Sequence, residues 1–198
     1  MKDKTSINLL LKSLNLKDEK RTGWELRGIE DPEKVAAHSW GVSLLTLIYG
    51  SEEDLKKDKA VKMSIIHDLA EAEVGDIPKR AIDVQKEISA SEKEELEEKA
   101  MEKFSKGLGE ELNDLWNEYE NRETLEAKFV KDMDLIDMCL TALKYEKEKR
   151  YDPSEDNPNF VTYENLDEFF ITSQNRLNTE TGKKLFTEIK TRYEEIRQ

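Results

Sequence analysis

Histidine and cysteine are almost missing from this chain: His38 and His67 are its two histidines and Cys139 its one cysteine, among 198 residues. A single cysteine excludes an internal disulfide. Its apolar neighbours Met138 and Leu140 predict a buried thiol and a reducing, cytoplasmic setting. Prolines number four and glycines eight, so helix breakers are scarce and a turn-rich sheet has little support. No apolar run approaches membrane-spanning length, and Met1-Lys2-Asp3-Lys4-Thr5-Ser6 leads into a short Leu-rich stretch without a signal-peptide core. A soluble protein without a membrane partner is expected. Positive charge is in deficit as well, with 32 Lys and Arg against 45 Asp and Glu and a formal net charge of −13. This argues against a nucleic-acid polymer as partner, because affinity for a polyphosphate backbone comes largely from cations. A small anionic substrate remains open where cations are gathered locally.

What the chain does contain is helix-forming sequence. Charged residues make up 39% and hydrophobic residues 36%, and the apolar positions recur at helical spacing, which predicts an all-α fold with a heavily charged surface. The length suits one domain with a sizeable core, residues 1–198, and would cramp two. Helices are expected from about Ser6 to Leu16, burying Leu9, Leu10 and Leu14; from Ala37 to Tyr49, stopped at Gly50; and from Leu55 or Lys59 to Glu71. Further helices are expected from Val84 to Lys106, around Leu112 to Tyr119, from Thr124 to Lys149, near Leu166–Leu177 and over Gly182–Ile196. Trp40, Trp116 and Tyr119 are expected in the core.

The chemistry gathers around the scarce histidines. His67 stands in His67-Asp68-Leu69-Ala70-Glu71 at the expected C-terminal end of a helix, followed by the turn Gly75-Asp76-Ile77-Pro78. Adjacent helical residues point about 100° apart, so His67 and Asp68 share a metal only at the seam between their directions. His38 and an aspartate of the long helix would complete a site of two imidazoles and two carboxylates, suited to Mn, Co, Fe, Zn or Mg. On a helical wheel Asp137 falls inside the apolar stripe, Asp134 at its margin, and Asp132 points away. Either of the first two can reach inward. Glu71, one turn beyond His67, is a candidate proton donor or acceptor with Asp76 as its partner. Arg21, Arg27, Lys79 and Arg80 are the loop cations available to a small anion.

Over about residues 20 to 150 these motifs resemble the HD-domain phosphohydrolases, and within them the 5′-deoxynucleotidase branch. The resemblance is carried by Arg21-Thr22-Gly23-Trp24, Ala37-His38-Ser39, His67-Asp68-Leu69-Ala70-Glu71, Gly75-Asp76-Ile77-Pro78 and Lys128-Phe129-Val130-Lys131-Asp132-Met133-Asp134. It implies a multi-helix HD-domain bundle, with the C-terminal helices packed on the same domain. It implies one divalent metal ion on His38, His67, Asp68 and Asp134, which selects Asp134 over Asp137. Glu71 and Asp76 then take catalytic roles. Trp24 matches a substrate-side tryptophan, with Arg21, Lys79 and Arg80 as further substrate-binding candidates. Bacterial members carry an Arg directly before that Trp; Gly23 stands here instead, so that phosphate contact is left unassigned. The implied activity is release of phosphate from deoxyribonucleoside 5′-monophosphates by a homodimer. The alternatives are another nucleotide phosphohydrolase of this type, acting on a cyclic nucleotide, an alarmone or a triphosphate, and a non-enzymatic, metal-stabilised interaction module.

Overall fold

Apart from a single antiparallel bridge between Lys20 and Lys34, every regular element among the described residues is helical. The computed structural model describes residues 4–77, 89–154, 157–158 and 165–197. The elements are α1 (Lys4–Ser13) running into a 3₁₀ turn (Leu14–Lys17), α2 (Thr22–Glu25), α3 (Val35–Tyr49), α4 (Lys57–Ile66), α5 (Glu71–Val74), α6 (Ala90–Leu108), α7 (Glu111–Asn121), α8 (Leu125–Glu148), α9 (Asp167–Gln174) and α10 (Glu180–Glu195). The all-α expectation holds.

The axis of the molecule is α8, which α3, α4, α7, α9 and α10 all pack against. Its start is set by Thr124, whose hydroxyl accepts from the Ala127 amide, a hydroxyl N-cap of the kind that satisfies the free amides of a first turn. Phe129, Val130, Met133, Ile136, Cys139 and Ala142 are completely buried along it. Covered on several sides, α8 has no single polar face. A second apolar cluster joins Leu9, Leu16, Val35, Leu69, Met101, Phe104 and Trp116, so the heavily charged α6 still contributes a narrow buried stripe.

The N-terminal expectations need correction. Leu10 and Leu14 are exposed, and Leu9 and Leu16 are the buried leucines, because α1 ends at Ser13 and its tighter continuation turns different side chains inward. Trp40 is not core: it is 68% exposed, in a strip with Leu44, Leu47 and Ile48 on the outer face of α3. Trp116 and Tyr119 are buried as expected. The helix expected to reach Glu71 stops at Ile66, and Glu71 instead opens α5. The helix expected from Val84 starts at Ala90 behind a reciprocal cap between Ser89 and Glu92, and positions 84 to 88 lie outside the described residues.

Candidate metal centre and active-site cleft

The break between α4 and α5 is what makes the site. His67 and Asp68 sit in that turn, whose backbone is still right-handed helical at His67 and Ala70, and His67 remains buried. His67 Nδ1 donates to the Ser64 carbonyl at 2.8 Å, which leaves Nε2 to face the cleft. His38, in the first turn of α3, is held in the same manner by a carboxylate: its Nδ1 lies 2.7 Å from Asp137 Oδ2.

Both Nε2 atoms then converge on acids. His38 Nε2 is 3.2 Å from Asp134 Oδ1 and 3.6 Å from Asp68 Oδ2, and His67 Nε2 is 3.3 Å from Asp68 Oδ2. One ligand atom each from His38, His67 and Asp134 falls within 4.8 Å of the others. Neither Nε2 has a well-directed hydrogen-bond partner among the described residues, although both are buried. Buried imidazole nitrogens without well-directed hydrogen bonds, beside two carboxylates, fit a divalent cation, which would take their lone pairs once a proton on His38 is displaced.

The charges are tuned by their surroundings. Burial and the Arg21 charge press His38 toward neutrality, but contacts with Asp134 and Asp137 prevail and raise its pKa to about 10. Burial holds His67 below the ordinary histidine value despite Asp68 and Asp134. Burial works against ionisation of Asp134, yet Lys131 and His38 hold it well below the usual carboxylate range. Lys131 and the Tyr119 hydroxyl both donate to Asp134 Oδ2, Tyr119 at 3.0 Å, so the other oxygen is the one turned to His38.

Glu71 is buried at the cleft wall, with Oε2 lacking a hydrogen-bond partner among the described residues. Burial, together with Asp68 and Asp76, pushes its carboxyl well above the usual range, which favours the protonated acid. Asp76 is engaged otherwise. Its carboxylate accepts from the Thr22 amide at 2.6 Å, and its own carbonyl accepts from the Thr22 hydroxyl at 2.8 Å. That grip fixes the loop in which Arg21 reaches Asp68 Oδ2 at 3.3 Å.

Trp24 is 1% exposed, stacked on Phe169 with centroids 3.9 Å apart and donating from Nε1 to Glu33. It is core first, with an edge on the cleft. The cleft encloses about 140 Å³ and is walled by residues that include Arg21, Trp24, His67, Asp68, Glu71, Asp76, Lys93, Tyr119, Lys131, Asp134 and Arg176. Of the remaining cation candidates, Arg27 is buried against Glu168 at 2.7 Å and is not among the wall residues. Lys79 and Arg80 lie outside the described residues. Sequence reasoning missed Lys93, whose ammonium donates to the Ile77 carbonyl at 2.6 Å, and the second role of Asp137. The position of Asp137 within the apolar stripe was the available signal, since a buried acid requires a partner.

A helical bundle with two imidazoles and two carboxylates converging beside a buried acid defines the class of metal-centred hydrolytic sites. The chain belongs to the HD-domain family, whose profile matches residues 14–172. It is 41% identical over 140 residues to 5′-deoxynucleotidase HDDC2 of Xenopus laevis, covering 68% of this chain and 67% of that protein. It is 39% identical over 135 residues to 5′-deoxynucleotidase HDDC2 of Homo sapiens, covering 66% and 63%. The chain thus spans about two thirds of the length of these curated relatives. A conserved hypothetical protein of known structure from Pyrococcus furiosus superposes with a TM-score of 0.71 at 31% identity, covering 93% of this chain and 99% of that one.

Proposed function

We infer that this protein is a metal-dependent phosphomonoesterase that hydrolyses deoxyribonucleoside 5′-monophosphates to deoxynucleoside and phosphate. The observation that carries the reading is the convergence of two buried, unpartnered imidazole nitrogens with Asp68 and Asp134 beside the buried acid Glu71. The names of the curated relatives supply the substrate class.

His38, His67, Asp68 and Asp134 are the residues that would hold one divalent ion, with two imidazoles favouring Mn, Co, Fe or Zn over Mg. When bound, such an ion supplies positive charge toward the phosphoryl oxygens and acidifies water. Arg21 brings a fixed positive charge beside Asp68, where the phosphate must approach. Glu71, held as an acid by its burial, hands a proton to the departing 5′-oxygen of the sugar. Asp76 positions Arg21 through Thr22 instead of moving a proton itself. The cleft-facing edges of Trp24 and Phe169 meet the organic part of the substrate.

The chain acts as one HD domain, since α10 packs along α8 with Phe186, Ile189 and Tyr193 buried. It works in the cytoplasm as a homodimer. The buried Cys139 thiol agrees with a reducing compartment, and the exposed strip of Trp40, Leu44, Leu47 and Ile48 supports a partner copy on α3. None of the helices among the described residues is long and apolar enough to cross a membrane.

The test is to strip the protein of metal, restore single divalent ions, and score phosphate release from ribo- and deoxyribonucleoside monophosphates. Metal-dependent phosphate release, lost in His67→Ala and Asp68→Ala, is the expected result. Pyrophosphate release from triphosphates, or opening of cyclic nucleotides without monophosphate turnover, would replace this reading with the broader phosphohydrolase one. Metal-dependent melting without turnover of any nucleotide would leave the non-enzymatic module.

A further inference from the structure

Among the described residues the cleft has five Lys and Arg side chains on its wall, and four of them already face an acid. Arg21 meets Asp68 at 3.3 Å, Lys93 meets Glu97 at 3.4 Å, Arg122 meets Glu120 at 3.6 Å, and Lys131 is paired with Asp134. The fifth, Arg176, lies in the turn after α9 and lines the same cavity. Its guanidinium has no acidic or hydrogen-bonding partner among the described residues. In a chain carrying 13 more acids than bases, a half-buried arginine that pairs with no acid among the described residues has its donors available to an anion from outside.

Its backbone is also held in place relative to the metal-site helix. Asp132, completely buried on α8, accepts from the Asn178 amide at 2.9 Å, the Asn178 side chain at 3.0 Å, the Thr179 amide at 2.6 Å and the Thr179 hydroxyl at 2.7 Å. The Asn178 side chain also donates to the Arg176 carbonyl at 3.0 Å. Two residues along α8 from this anchor stands Asp134. The turn that carries Arg176 is therefore fixed to the helix that carries the metal-site aspartate, and the planar guanidinium fork matches phosphate oxygens in pairs.

We propose that Arg176 is a substrate-binding residue that grips the phosphate of the nucleotide in the cleft whose wall it shares with Arg21, in the role left open where Gly23 stands. Arg176 lies beyond residue 172, where the family profile match ends. The proposal rests on the cleft being the phosphate site.

The probe is inorganic phosphate, titrated by calorimetry into the metal-loaded protein, alongside KM and kcat for the four deoxynucleoside monophosphates. Arg176→Met is expected to weaken phosphate binding about tenfold to a hundredfold, as for a lost charged hydrogen-bond pair. KM should rise alike for all four bases, with metal content unchanged. Arg176→Lys, which keeps the charge without the fork, should recover part of the loss and stands in if the Met variant does not fold. Arg192→Gln, which removes an exposed cation on α10, is the charge control and should leave phosphate binding unaltered. Undiminished phosphate binding in Arg176→Met would overturn the proposal. So would a KM change confined to some bases, or a parallel loss of metal. If the wild type binds phosphate but turns over no monophosphate, the proposed activity fails while the phosphate titration still decides the role of Arg176.

Discussion

His38 and Asp137 form a pair in which Nδ1 and Oδ2 are 2.7 Å apart, and Gly41 makes the approach possible. A Cβ on Gly41 would stand 2.1 Å from Asp137 Oδ1. His38 and Gly41 lie three residues apart on α3, so the helix offers the imidazole and the space for its acid on one face. Replacing the acid frees the ring to rotate and weakens its basicity, and losses of about 10- to 100-fold in metal affinity accompany such changes. Asp137→Asn and Gly41→Ala should both fall in that range when metal binding is titrated directly. Asp134→Ala, which removes a proposed ligand, should lose more than either. Equal affinity for wild type and Asp137→Asn would reject the orienting role.

The pH dependence of metal binding follows from the same imidazole. With His38 raised to about 10 in the metal-free protein, the ring carries a proton at neutral pH that a cation must displace. His67, lowered by burial, has no such proton to give. Binding should therefore release close to one proton, and apparent affinity should climb about tenfold per pH unit between about pH 7 and pH 9. Calorimetry in buffers of different ionisation enthalpy counts that proton, and a flat affinity profile would contradict the assignment.

Asp132 serves stability. Asp132→Ala removes the acceptor for the buried Thr179 amide and hydroxyl and for the part-buried Asn178 amide, which are costly to leave unpaired, for a total of about 3 kcal/mol. Thermal unfolding should shift down by several degrees, while metal content at low temperature stays near that of the wild type.

The exposed strip on α3 gives a prediction about assembly. Trp40→Glu places a charge in the middle of Trp40, Leu44, Leu47 and Ile48. If a second copy covers this face, mass in solution should fall from dimer to monomer. A dimer that persists in Trp40→Glu would move the interface elsewhere.

Cys139 should resist thiol reagents. Burial pushes its pKa up to about 12, so the reactive thiolate is scarce as well as covered. Native protein should label negligibly with a disulfide reagent and fully once unfolded.

The helical class and the long α8 could be read from the sequence, because apolar spacing and scarce breakers are local properties. The expected start of α8 near Thr124 lies within one residue of the observed one, Leu125. Trp40 was misplaced because a helix with apolar residues on two sides does not say which side meets the core. The end of α4 was missed because Leu69, Ala70 and Glu71 are good helix formers, and tertiary packing of His67 outweighs their preference. At the site, the wheel left Asp134 and Asp137 open for a sound reason: both turn toward His38, one to Nε2 and the other to Nδ1. Arg176 was illegible, since only the chain's return to α8 brings it to the cleft.

Within six residues, α8 sends three aspartates to three destinations: Asp132 to the turn before α10, Asp134 to the cleft and Asp137 to the back of His38. Their angular offsets are fixed by the 100° step per residue, which makes this stretch intolerant of a change in length. Insertion or deletion of one residue between Asp132 and Asp137 would leave the helix itself intact. It would also send at least one carboxylate into the apolar core, where an unpaired charge is not accommodated. This stretch of α8 tolerates a change of side chain far better than a change of length.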